Sequence, residues 1–157
     1  MLNKKREITD INEIYAVLKG CNTIRLGLTS PDGPYIVPLS FGIELDNGVV
    51  TVYVHGAPKG LKADCMRDHP HVCVEGDIFI RTERMKHGIT TRYESVIGFG
   101  TAEQLTDMDE KKHGLQLIDE HYGEGSFNLD ECKSLAGVTV WRVRLTKISG
   151  KHNLASM

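Results

Sequence analysis

No apolar run in this chain approaches the roughly 20 residues that a membrane-crossing helix needs, so no spanning segment is expected. The opening residues MLNKKREITD are basic but lead into no apolar stretch, and do not read as a secretory signal. Cysteine is sparse: the four residues Cys21, Cys65, Cys73 and Cys132 are scattered and form no CxxC pair. Without an export signal, that usage points to reduced thiols and a cytoplasmic location rather than a disulfide framework. The formal net charge of -2 gives no support for a nucleic-acid or membrane-surface partner. Internal repeats and low-complexity tracts are absent. So are a P-loop, a GxGxxG after a strand, and any Ser-His-Asp or Cys-His order.

What is present is the composition of an ordinary soluble protein, 40% hydrophobic and 25% charged. Its 157 residues suffice for one domain, 1–157, with a real core. A first helix is expected over 11–19, where Ile11, Ile14, Val17 and Leu18 share a face, Asp10 and Glu13 stand at capping-box spacing, and Gly20 stops it. Three strands follow in quick succession. Ile24, Leu26 and Leu28 alternate with Arg25, Gly27 and Thr29, a second strand spans 35–45, and a third spans 49–54. Asn47-Gly48 reads as a type I′ hairpin turn. Short turns make this an antiparallel meander rather than a parallel α/β sheet.

A helix over 60–68 and a strand over 71–79 come next. Residues 81–91 are polar and basic and read as a loop. A strand over 93–105 carries Gly98 and Gly100, where a bulge is expected. A helix capped by Asp107 runs to Tyr122, a loop spans 123–133, and a last strand spans 138–148 before a polar tail. About six antiparallel strands and three helices predict a mainly β fold, a small closed or nearly closed barrel with helices outside it.

The turn YVHGAPKGLK carries the chemistry. A glycine-containing loop that opens a helix presents free N–H groups and the positive end of the helix dipole, which suits a phosphate. Lys59 and Lys62 add positive charge there, Lys62 being the better placed as a ligand in the first helical turn. The antiparallel context excludes the phosphate loops of parallel sheets. His55 ends the strand before this loop and is the candidate for substrate-side chemistry. Arg142 and Arg144 share a face of the last strand and call for carboxylates, a phosphate or a subunit interface, the interface being the favoured reading. His69, His71 and Cys73 alternate in a way that suits zinc, but they lack a fourth ligand nearby; His69-Pro70 reads more simply as a helix-to-strand break.

Five stretches in this order, REITDINEIYAVL, GPYIVPLSFGIE, VYVHGAPKGLKADCMRDHPHVCVE, RYESVIGFGTAE with its DEKK helix start, and VTVWRVRLTKISGK, resemble the pyridoxamine 5′-phosphate oxidase-like flavoproteins. Within them the chain is most similar to the nitroimidazole-resistance-type branch. The resemblance covers most of the chain and implies a six-stranded antiparallel split β-barrel of the FMN-binding type.

It implies that Pro38, Leu39, Ser40 and Phe41 lie along a flavin ring and meet its polar edge through backbone groups. Gly60 and Lys62 would meet the ribityl phosphate. Tyr93, Ser95 and Val96 would come from the second subunit of a homodimer with two flavins at its interface. Trp141 is a further cofactor neighbour, and His55 matches the histidine associated with the active site. The implied activity is that of an FMN-dependent oxidoreductase, passing electrons from a reduced nicotinamide to a small-molecule acceptor such as a nitroimidazole. The alternative is a non-catalytic flavin-, F420- or haem-binding protein of the same fold. The C-terminal motif that holds the substrate phosphate in true pyridoxamine phosphate oxidases is not evident in TKISGKHNLASM, which argues against vitamin B6 oxidation.

Overall fold

The computed structural model describes residues 4–123, 128–129 and 135–154. Eight strands and three α-helices follow one another in the order β1 (Glu7–Ile8), α1 (Ile11–Lys19), β2 (Ile24–Ser30), β3 (Gly33–Leu39), β4 (Gly42–Asp46), β5 (Val49–Gly56), α2 (Leu61–Asp68), β6 (His71–Met85), β7 (Gly88–Gln104), α3 (Met108–Tyr122) and β8 (Thr139–His152). Every strand pairing is antiparallel, and the sheet runs β3-β2-β6-β7-β8-β5-β4, with β1 added on β8.

The two outer strands of this order, β3 and β4, are consecutive in the chain, joined only by Ser40 and Phe41. So short a link forces the sheet's two edges together, and the sheet rolls up. No ladder joins β3 to β4. The result is a split barrel rather than a closed one.

Strand alternation divides the interior in two. Val50, Val52 and Val54 of β5 point into the barrel with Ile24, Leu26, Val74, Val96 and Val143, all almost fully buried. Helix α1 adds Ile14, Val17 and Leu18 to that core. Tyr53, on the other face of β5, forms a smaller cluster with Leu105 and Val140 beneath α3. Two glycines let α3 seat there. A Cβ on Gly114 would stand 2.7 Å from Tyr53 Cδ1, and one on Gly42 would stand 2.6 Å from the Ile118 backbone nitrogen.

Several expectations hold. Helix α1 spans 11–19, with the Asp10 carboxylate accepting the Asn12 N–H at 2.7 Å. Asn47 and Gly48 both have positive φ, 49° and 78°, as a type I′ turn requires. The β7–β8 register slips between Phe99 and Gly100, the expected bulge.

Others are corrected. The sheet has eight strands, not six. The expected strand over 35–45 is two strands broken at Ser40 and Phe41. The expected loop over 81–91 is instead the end of a long β6–β7 hairpin, whose strands pair out to Met85↔Gly88. The expected polar tail from Ser149 continues β8 to His152, pairing with β7 and β1. Arg142, read as an interface residue, is satisfied within the chain by Glu103 at 2.9 Å and Glu110 at 2.8 Å. Most of the expected 123–133 loop, with Cys132, lies outside the described residues.

Candidate functional site

Strand β5 ends at His55 and Gly56, and α2 starts five residues later at Leu61. The turn between them is built around Lys62, whose Nζ donates to the His55 carbonyl at 3.2 Å. Gly56 makes room for it: a Cβ there would stand 2.8 Å from Lys62 Nζ. Gly60, the N-cap of α2, has φ +115°, a conformation that side chains rarely adopt, and it brings no side chain to cap the helix. The first N–H groups of α2 therefore carry no side-chain acceptor from the cap residue, and the positive helix end points into the turn.

Two pKa shifts mark this turn. Burial pushes the Lys62 ammonium below the ordinary lysine value. Although His55 is exposed as a residue, burial of its ring, followed by the charge of Lys62, lowers its pKa below the ordinary histidine value. Both shifts disfavour positive charge at this turn, chiefly through burial. Among the described residues Lys62 makes no carboxylate ion pair; its hydrogen-bond partner is a neutral carbonyl.

The barrel seam lies beside this turn. The β4–β5 ladder stops at Gly42↔Tyr53. Carried two residues further, the register sets Phe41 opposite Val54 and Ser40 opposite His55. Strand β3, which delivers Pro38 and Leu39 to the same seam, is an edge strand, so half its backbone N–H and C=O groups face away from β2. Pro34 and Pro38 both lie on β3, where the missing N–H is tolerated. Trp141 pairs with Val54 and lies at this end too, but its side chain is buried in the core. Phe41 is likewise a core side chain, with no exposed surface.

Tyr93, Ser95 and Val96 are not brought to this end. Ser95 pairs with Lys151, whereas Gln104, nine residues further along β7, pairs with Trp141. At about 3.3 Å per residue that separates the two groups by roughly 30 Å along the strand. Val96 is buried in the core, and Tyr93 and Ser95 are half-buried, with the Lys151 ammonium 5.7 Å from the Tyr93 ring centroid. The Lys62 turn and residues 93–96 therefore stand apart along β7, while Leu39 shares a cross-strand row with Val96 through Ile24 and Gly76.

Gly56 belongs to the glycine-containing turn singled out in the sequence, but two functional candidates escaped that reading. His121 and Tyr122, at the end of α3, reach the seam across more than eighty residues of sequence, and nothing in DEHYG announces it. His71 sits on β6 with Nδ1 3.4 Å from the Thr101 hydroxyl, and no group of three or more metal-ligating side chains occurs among the described residues.

A rolled, unclosed antiparallel sheet with helices outside it defines a split-barrel protein. The chain belongs to the pyridoxamine 5′-phosphate oxidase family, whose sequence profile matches residues 10–152.

A structure described as a candidate 5-nitroimidazole antibiotic resistance protein of Bacteroides thetaiotaomicron superposes with a TM-score of 0.83 at 29% identity, covering 93% of this chain and 86% of that one. The flavocytochrome Anf3 of Azotobacter vinelandii superposes at 0.80 with 20% identity, covering 96% and 71%. An FAD-binding protein of Mesorhizobium loti superposes at 0.67 with 22% identity, covering 95% and 98%. No curated protein matches the chain. Among the described residues no helix is long and apolar enough to cross a membrane.

Proposed function

We propose that this protein is a homodimeric FMN-dependent oxidoreductase that passes electrons from a reduced nicotinamide to a small acceptor, with nitroimidazoles as the favoured acceptor class. The observation that carries the reading is Lys62: a partly buried cation at an uncapped helix start, with only a carbonyl for partner. Such a site is completed by an anion, and the phosphate of FMN fits it. The free edge of β3 fits the ring, since its outward backbone groups offer donors and acceptors in a fixed row. The bound flavin would supply the hydride and electron chemistry.

The chain's own residues would bind and orient. Lys62 and the first N–H groups of α2 would hold the phosphate. Backbone groups of residues 38–41 would fix the ring. His55, held neutral near pH 7 by its lowered pKa, offers one ring nitrogen as donor and the other as acceptor toward a nitro group or carboxylate.

The dimer supplies what one chain separates. Tyr93, Ser95 and Val96 lie roughly 30 Å along the strand from the level of the turn, which favours their reaching a shared flavin from a second copy. The outer sheet face suits such an interface. Ile36, Gly27, Cys73 and Phe99 follow one another across four strands, and Ile36 and Phe99 are 66% and 47% exposed. The clefts of about 530 Å³ and 490 Å³ in one chain include neither His55 nor Lys62. That is what a site between two chains predicts, and the chemistry of the turn outweighs cleft size in locating it. The 29% identity to the nitroimidazole-resistance-type structure supports the acceptor class.

An absorbance spectrum and an FMN titration of the purified protein test the reading. A stoichiometric flavin band with nicotinamide oxidation on adding a nitroimidazole is the expected result. A protein that takes up no FMN refutes it, and FMN uptake without turnover identifies a non-catalytic flavin carrier of this fold. Mass measurement of released cofactor distinguishes FMN from F420 and haem.

A further inference from the structure

The last turn of α3 grips the seam of the barrel. The Tyr122 hydroxyl donates to the Asn22 carbonyl at 2.9 Å and accepts the Phe41 backbone N–H at 3.3 Å. His121 packs its ring on Phe41, centroids 4.3 Å apart, and its Nε2 stands 2.9 Å from the Cys21 carbonyl. Facing a carbonyl, that nitrogen carries the proton. Three segments far apart in sequence thus meet at the two residues that link β3 to β4.

Those two residues need such a grip. They lie in no strand, no ladder joins β3 to β4, and the conformation of the link decides how the free edge of β3 is presented. We propose that His121 and Tyr122 are positioning residues of the flavin site, holding Ser40 and Phe41 so that the β3 edge meets the ring in one register. The proposal rests on the reading above, in which residues 38–41 line the ring. Both act through the link. Tyr122 consumes the Phe41 N–H, leaving recognition to the remaining backbone groups of residues 38–41, and the His121 ring packs on the Phe41 side chain. Without the hydroxyl the link samples several conformations, and binding must restore the productive one at an entropic cost.

Tyr122→Phe tests this with two readouts. Hydrogen exchange in the FMN-free protein should accelerate on the order of tenfold at Phe41 and Gly42, while the interior amides of α3 keep their protection. The Kd for FMN should rise on the order of tenfold, the loss of about one net hydrogen bond, and the visible band of bound FMN should shift. His121→Gln keeps a donor for the Cys21 carbonyl and removes the ring from Phe41. It should move both readouts in the same direction, and it decides the matter if Tyr122→Phe does not fold. If the wild type binds FMN and the variants bind it equally well, or if exchange at Phe41 is unchanged, the positioning role is overturned and the flavin reading stands. If the wild type takes up no FMN, the flavin reading falls and the positioning role with it.

Discussion

Replacing Lys62 by Met separates a ligand lysine from a folding lysine. The Lys62 stem approaches Gly56, and its Nζ is partly buried against the His55 carbonyl. Met keeps most of the stem and removes the charge. Folded Lys62 gives up its proton more readily than unfolded lysine. Its contribution to stability is therefore unfavourable below the folded pKa and vanishes as pH rises through the unfolded one. At neutral pH the cofactor-free variant should melt no lower than the wild type.

Binding should respond in the opposite direction. A charge-assisted contact to phosphate contributes about 1.5–3 kcal/mol, and solvent screening at this partly open turn puts the loss at the lower end. That corresponds to a roughly tenfold weaker Kd for FMN, larger for Lys62→Glu, where repulsion is added. Flavin fluorescence titration at two salt concentrations, with melts of the cofactor-free protein, measures both. The wild-type Kd should weaken with salt more than that of the Met variant. Unchanged FMN affinity in Lys62→Met, or a fall in melting temperature that alone accounts for weaker binding, would refute the assignment.

Gly42→Ala should destabilise the chain by about 1–3 kcal/mol, because the new methyl meets α3 backbone that cannot turn aside. Melts should show a loss of several degrees, and an unchanged melting temperature would mean that α3 is not seated as described. His55 has a folded pKa below its unfolded one, so stability of the cofactor-free protein should fall as pH drops through the unfolded histidine value. His55→Gln should flatten that part of the profile, and a profile identical to the wild type would remove His55 as its source.

The parts of the fold that were legible in sequence are those fixed by local chemistry. Asp10 caps α1 through its own neighbour, and Asn47-Gly48 needs only positive φ to turn a hairpin. The place of Lys62 in the first turn of a helix was legible because a lysine after Gly60 is a local pattern. The break at Ser40 and Phe41 was not legible, since PYIVPLSFGIE reads as continuous strand and the Phe41 N–H is taken by Tyr122, on another element. The 81–91 stretch looked like a loop because its side chains are polar. Its strand structure comes from backbone pairing with its own return strand, plus contacts such as Asn153 Nδ2 to Thr90 Oγ1 at 2.9 Å. Arg142 looked like an interface residue because its partners, Glu103 and Glu110, lie on other elements.

In the proposed dimer each flavin site is assembled from the Lys62 turn of one subunit and the Ser95 strand of the other. A mixed dimer tests it most directly, with Lys62→Glu in one subunit and Ser95→Glu in its partner. Each variant alone as a homodimer should have both sites impaired. The purified mixed dimer has one site carrying both changes and one carrying neither, so it should bind FMN with wild-type affinity at about half of its sites. A mixed dimer with no wild-type site, or a Ser95→Glu homodimer that binds FMN normally, would contradict the account.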